Sequence, residues 1–217
     1  FALASQDKYQ AGKESGFFDG EITGIRVPGG RKQPDVTVDV DEHPRGTSME
    51  ALAKLRALNP DGVTTAGNAS GVNDGAVAMF IGSREVGEKA GIKPIAKILS
   101  SASAGVPPRI MGIGPVPASE KALERAGLTI DDMDVIEINE AFATQSIASV
   151  RDLGLDIDKV NVDGGAIAIG HPLGATGARI TGKAAQILKR EGGRYALSTQ
   201  CIGGGQGIAT VMETIET

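Results

Sequence analysis

Three side chains of this 217-residue chain, Asn139, His171 and Cys201, are of types that could share one piece of chemistry. An imidazole takes or gives a proton near neutral pH. A thiol serves as nucleophile, or as acid and base, once its pKa suits the task. An asparagine amide can hold a water or face a developing oxyanion. Each residue sits in a loop stripped of bulk: Asn139-Glu140-Ala141-Phe142-Ala143, the run from Gly164 to Gly170-His171-Pro172, and Cys201-Ile202-Gly203-Gly204-Gly205-Gln206-Gly207. Glycines let backbone approach a ligand and can turn successive N–H groups into an anion-binding nest. A cysteine beside such N–H groups is expected to have a lowered thiol pKa. His171 precedes Pro172, which biases its backbone towards extended geometry at a loop-to-helix junction.

Taken singly, each residue has a plainer reading. A lone Cys is more often a small buried hydrophobe, a His in a glycine loop a hydrogen-bonded structural residue, and glycines serve tight turns. The three together tip the balance to an active site. Their side chains are expected to converge on one cavity floored by Gly203 to Gly205. Two apparent phosphate motifs carry less. Gly177 to Ala184 nearly matches the P-loop pattern, but it lacks the final Ser/Thr and lies inside an expected helix. Gly203 to Gly207 lacks the dinucleotide spacing and precedes a strand.

The elements that must position these groups follow from periodicity and punctuation. A helix is expected from Phe1 to about Glu14, then short strands within Glu21 to Val40, then a short amphipathic helix from Met49 to Leu58 ended by Asn59-Pro60. Thr64 to Gly71 is a run of small residues that would leave room for a ligand. Ala76 to Ile81 is a strand candidate, and Ser83 can cap a helix to Ala90 with Gly91 as its stop. Strands and helices alternate after that. Strands are expected at Ile95–Leu99, Val135–Ile138, Val160–Val162, Tyr195–Thr199 and Ile208–Glu213. Helices are expected at Ala118–Ala126, Ala141–Arg151 and Gly174–Arg190, with a four-proline loop from Pro107 to Pro117. This grammar predicts an α/β domain, its last two strands antiparallel across a glycine turn. The three polar residues fall where ligands bind in such folds, in loops leaving strand ends.

Composition excludes several classes. Hydrophobic residues at 41% and charged residues at 23% are ordinary globular values, which argues against disorder. The 31 glycines show no G-x-y period, which excludes collagen. Aromatics at 3%, no Trp and a net charge of -5 leave neither stacking platforms nor a basic groove for nucleic acid. The single cysteine excludes an internal disulfide and suits a reducing compartment, so a cytoplasmic location is expected. Two histidines argue against a Cys/His zinc site. No apolar run reaches the roughly 18 residues of a membrane span, and the polar turn after Phe1 to Ser5 is unlike a signal peptide. Phe1 is not a Met, and no capping residue precedes the first helix. Residues upstream are therefore expected to have been removed or to lie on another chain.

In Thr65-Ala66-Gly67-Asn68-Ala69-Ser70-Gly71, Met111 to Ala118, Asn139 to Ala143, Gly170-His171-Pro172 and Cys201 to Gly205, the chain closely resembles the thiolases, the acyl-CoA C-acyltransferases. The stretches occur in family order over nearly the whole chain. Asp163 stands where many thiolases have Asn. The resemblance implies the layered αβαβα fold: residues 1–71 as the end of the loop domain, 72–93 as the end of the N-terminal domain, and 94–217 as the C-terminal domain. It covers only the C-terminal part of the family's length, so the acyl-accepting cysteine is expected to be absent. Cys201 matches the second, acid/base cysteine. It further implies that His171 activates the missing thiol, that Asn139 holds a water, and that Gly203 N–H helps hold the acyl oxyanion. Coenzyme A, a substrate rather than a cofactor, would lie along Ser70 and Ala66, with Arg45 at its adenine-phosphate end and Phe142 walling the thioester pocket. Family members are homodimers or homotetramers. Two other readings are a non-catalytic acyl-CoA or lipid-carrier relative, which the joint presence of Asn139, His171 and Cys201 argues against, and a condensing enzyme without a second Cys, which Cys201 argues against.

Overall fold

The computed structural model describes residues 1–31 and 33–215. Helix α1 (Ala2–Glu14) buries Ala2, Ser5 and Tyr9. A two-stranded antiparallel ribbon follows, β1 (Ile25–Val27) and β2 (Val36–Val38), and all its residues are exposed. Ser48 caps α2 (Met49–Ala53) by accepting from the Ala51 N–H at 3.2 Å. The helix stops short of the expected Leu58 because the chain turns back on itself. Ala57 bridges Thr65, and Leu58 N–H donates to the Thr64 carbonyl at 2.8 Å. The expected strand at Ala76–Ile81 does not form, and Phe80 is 94% exposed. Apolar pattern alone cannot make a strand where no ladder partner lies alongside. Helix α3 (Arg84–Lys89) starts where expected, with Ser83 Oγ accepting from Val86 N–H, and ends at Gly91 in the left-handed region.

From Ala96 onward the chain builds a three-layer unit. Its elements are β3 (Ala96–Gly105), a 3-10 stretch (Pro108–Ile113), α4 (Pro115–Ala126), β4 (Val135–Ile138), α5 (Ala143–Asp152), α6 (Ala166–Ile169), α7 (Thr176–Glu191), β5 (Tyr195–Ile202) and β6 (Gln206–Thr214). Pro115 and Pro117 start α4 instead of lying in a loop. Proline is tolerated in a first helical turn because the N–H it lacks would be unpaired there. Val160 makes only a single parallel bridge to Ile136, so the strand expected at Val160–Val162 is absent.

The sheet order is β3-β6-β5-β4. β5 and β6 pair antiparallel across the glycine turn, as expected, and β4 pairs parallel with β5. β4 is buried throughout, and its alternation divides the core. Ile136 and Ile138 pack with Ala118, Ala122 and Leu123 of α4. Val135 packs on the other face with Ala184, Ile187 and Leu188 of α7. A strand covered by helices on both faces reads as a continuous apolar run. Glu137 interrupts it on the α7 side. Burial pushes its carboxyl up to about 8, only partly offset by the charges of Arg179 and Lys183. Among the described residues no helix is long and apolar enough to cross a membrane.

Candidate active site

β4 delivers Asn139 to the end of the sheet. Its N–H donates to the Thr199 carbonyl at 3.0 Å, which extends the parallel ladder one bond beyond Ile138. The free edge of β4 is completed by a side chain. Asn161 Oδ1 accepts from Ile138 N–H, and Asn161 Nδ2 donates to Ile138 O, both at 2.8 Å. Asn161 has a positive φ of 47°, a conformation asparagine tolerates better than most residues. Its Nδ2 also donates to Glu140 Oε1 at 2.8 Å. The buried Glu140 carboxylate accepts further from Ser5 Oγ at 2.6 Å and from Ile167 N–H at 3.0 Å. One carboxylate thus joins α1, the end of β4 and the first turn of α6.

His171 follows α6, not a strand as expected. Gly170 has a φ of +91°, and a Cβ there would collide with the Asn73 amide. That turn sends His171 towards Asn139. Its N–H donates to the Gly71 carbonyl at 3.1 Å and to Asn73 Oδ1 at 3.3 Å. On the ring, Nε2 lies 3.3 Å from Asn139 Nδ2, and Nδ1 lies 2.6 Å from Thr176 Oγ1. Burial lowers the ring's pKa, and the positive charge of Arg179 lowers it further. The imidazole is therefore neutral near pH 7 and able to take a proton. Asn139 Oδ1 is buried with no hydrogen-bond partner.

Cys201 lies on β5, the strand beside β4, opposite Gly207 of β6. Its thiol is buried, and burial pushes its pKa up, with a hydrogen bond from its own backbone offsetting part of this. The expectation of a lowered pKa is therefore corrected: the glycine context does not compensate the lost solvation. Gly203 is exposed and has no neighbour within 4 Å of a built Cβ, whereas Gly205 packs against Val106 and Pro108. Asn139 and His171 are in direct contact, and Cys201 stands one residue beyond the Thr199–Gln200 segment that flanks Asn139. Two cavities, of about 340 and 270 Å³, lie elsewhere, one between α1 and α5 and one against the start of α7. Neither is lined by these three residues.

The family model described as "Thiolase, C-terminal domain" matches residues 92–214, and "Thiolase, N-terminal domain" matches residues 1–85. This chain belongs to the thiolase family. It is 52% identical over 218 residues to an acetyl-CoA acetyltransferase of Syntrophomonas wolfei and 52% identical over 219 residues to a beta-ketoadipyl-CoA thiolase of Pseudomonas aeruginosa; each alignment covers 99% of this chain and 54% of the relative. Among solved structures, human mitochondrial 3-ketoacyl-CoA thiolase superposes with a TM-score of 0.90 at 47% identity. The Bacillus anthracis acetyl-CoA acetyltransferase superposes with 0.92 at 43%. Each match covers 99% of this chain and 54% of the neighbour. The chain spans about half the length of the curated relatives it matches.

In this thiolase chain the small-residue stretch runs against the segment that follows Asn139. Ala69 bridges Phe142, Ala143 N–H donates to the Asn68 carbonyl at 2.8 Å, and Ser70 donates to the Ala141 carbonyl through both N–H and Oγ. The Ser70 hydroxyl is engaged inside the fold, and Phe142 is half-buried at the start of α5. Ala66 is exposed, and its carbonyl accepts from Arg45 Nη2 at 3.0 Å. Asp163, at the head of the glycine run, is 2% exposed and pairs with Lys183 at 2.7 Å and with both terminal nitrogens of Arg190 at 2.7 and 2.8 Å. Sequence reasoning missed Glu140, Asn161 and Thr176. Glu140 stands inside a recognised motif, and Thr176 lies four residues after Pro172, the spacing of a helical back-bond. Asn161 carried no signal, because its role depends on which strand edge it meets.

Proposed function

We propose that the complete protein transfers an acyl group between coenzyme A and acetyl-CoA, cleaving or forming a 3-ketoacyl-CoA through a cysteine acyl-enzyme. The observation that carries this reading is the contact of a neutral His171 ring with Asn139 at the sheet end beside Cys201. The chain's one cysteine is Cys201, so the acyl-accepting thiol comes from outside these 217 residues. In the cleavage direction His171 Nε2 takes the proton of that thiol, and the thiolate adds to the 3-keto carbon. The bond between C2 and C3 breaks, leaving its electron pair on the acetyl-CoA enolate, and Cys201 Sγ–H protonates C2. A thiol with a raised pKa keeps its proton near pH 7 and so suits the acid role. Free coenzyme A then takes the acyl group. Asn139, through Oδ1 and a water, and Gly203 N–H serve the thioester oxygens.

Coenzyme A is a substrate along Ser70 and Ala66, with Arg45 and Phe142 at its two ends, and no metal takes part. Residues 1–71 belong to the loop domain, 72–93 to the N-terminal domain and 94–217 to the C-terminal domain of a cytoplasmic homodimer or homotetramer. The non-catalytic reading leaves the His171–Asn139 contact without a purpose. The test is α-proton exchange. In the complete protein, Cys201→Ser should leave acylation by acetoacetyl-CoA measurable and abolish exchange of acetyl-CoA α-protons with deuterated solvent. Unchanged exchange overturns the role of Cys201. The 217 residues alone should show no thiolysis of acetoacetyl-CoA above a Cys201→Ala control.

A further inference from the structure

We propose that Thr176 is a positioning residue that fixes His171 as the tautomer protonated on Nδ1, leaving the Nε2 lone pair facing Asn139. The evidence is a chain of hydrogen bonds through the ring. Thr176 is buried on the first turn of α7, with no solvent to satisfy its hydroxyl. Its Oγ1 donates to the Pro172 carbonyl four residues back, at 3.0 Å. A helical threonine commonly spends its single proton in this way. With that proton engaged, Oγ1 meets the His171 ring as an acceptor, and the 2.6 Å contact places the ring proton on Nδ1. A neutral imidazole carries one N–H, so Nε2 is then bare. At the other end of the ring, Asn139 Nδ2 stands 3.3 Å from Nε2, in the position of a donor to that lone pair. Both contacts are met by one tautomer.

The consequence for chemistry rests on the thiolase reading. A ring protonated on Nε2 would present a donor where a thiol must lose its proton, and it could not act as base there. Thr176 touches no reacting atom; it acts through His171. Its hydroxyl also ties the ring to Pro172, so the loop that carries His171 and the helix that follows it hold the imidazole from one side.

The tautomer can be read on the ring itself. In the complete protein, the ring signals lost in a His171→Gln variant are those of His171. Long-range ¹H–¹⁵N correlation spectra of the ¹⁵N-histidine-labelled complete protein at pH 8 should show His171 with a pyrrole-type Nδ1 and a pyridine-type Nε2. Thr176→Ser should keep that pattern, because the hydroxyl is retained. Thr176→Val, equal in shape but without the hydroxyl, should move the ring to a mixture in which the Nε2–H form predominates. Thr176→Ala gives the same comparison if the valine variant does not fold, judged by its amide spectrum. A wild-type ring protonated mainly on Nε2 overturns the proposal, as does an unchanged tautomer ratio in the folded variant lacking the hydroxyl. The spectrum is independent of turnover. A complete protein inactive on ketoacyl-CoA with an Nδ1–H ring would sink the function and spare Thr176, and an active one with an Nε2–H ring would do the reverse.

Discussion

Replacing Asp163 with Asn separates what the motif implies from what the structure requires. The resemblance drawn from the sequence puts Asn at this position, and by itself it predicts a neutral change. The structure predicts a costly one. Asp163 is 2% exposed and Lys183 5%, with 2.7 Å between them, and Lys183 also lies 4.0 Å from the Phe18 ring centroid. Burial would raise the Asp163 pKa, but hydrogen bonds from Arg190 and Lys183, with their charges, hold it below the ordinary 3.8. Removing one member of a buried pair typically costs ~3–5 kcal/mol, because the other charge stays buried without compensation. Arg190 is a quarter exposed and keeps Glu191, and Lys183 keeps Glu21 at 3.0 Å, which favours the lower end. A loss of about 3 kcal/mol in a chain of this size lowers the melting temperature by about 6–12 °C.

The sign with pH follows from the lowered pKa. The contribution is complete above the unfolded carboxyl's value of 3.8 and is lost as pH falls through the lower folded value. The difference between Asp163→Asn and wild type should therefore be constant from pH 7 to pH 5 and close only below the ordinary value. Circular dichroism melts at these pH values, with and without added salt, give the comparison; a buried pair should respond weakly to salt. Glu21→Gln, at the more exposed partner, should cost less. A melting temperature of Asp163→Asn within ~2 °C of wild type, or a larger loss for Glu21→Gln, would refute the reasoning.

Ser5→Ala removes the hydroxyl that donates to Glu140 at 2.6 Å and accepts from Gly165 N–H at 3.1 Å, and should cost about 1.5–3 kcal/mol in urea unfolding; a shift in midpoint too small to measure would show that Glu140 does not need it. Cys201 should be alkylated by iodoacetamide at pH 7.5 more slowly than free cysteine, as followed by intact mass, because burial raises its pKa; faster alkylation contradicts that burial. Glu137, pushed up to about 8 from 4.5, keeps its proton in the folded state while the unfolded chain has lost it, so wild-type stability should fall as pH rises through this window. Glu137→Gln has no such proton, and its melting temperature relative to wild type should rise between pH 5 and pH 8. An unchanged difference counts against the buried carboxyl.

Local signals in the chain determined most of the elements. Ser83 and Gly91 bracket α3, Gly127 in the left-handed region closes α4, and the glycine turn after Cys201 makes β5 and β6 antiparallel neighbours, because capping, positive φ and periodicity are properties of short segments. Asn139, His171 and Cys201 stood out as candidates because residue type and stripped-down neighbours are written locally, and the fold brings Asn139 and His171 into contact. Tertiary structure decided the rest. Ala76–Ile81 has the residues of a strand and lacks a partner, and α2 ends early because Ala57 finds Thr65. The glycines near Cys201 suggested a lowered pKa, but burial among distant segments raises it, since desolvation is set by everything that packs around a group. Thr176, Asn161 and Glu140 show the same limit. Each works by meeting an atom from elsewhere in the fold or across a turn, and only the folded chain settles which ring nitrogen of His171 faces Asn139.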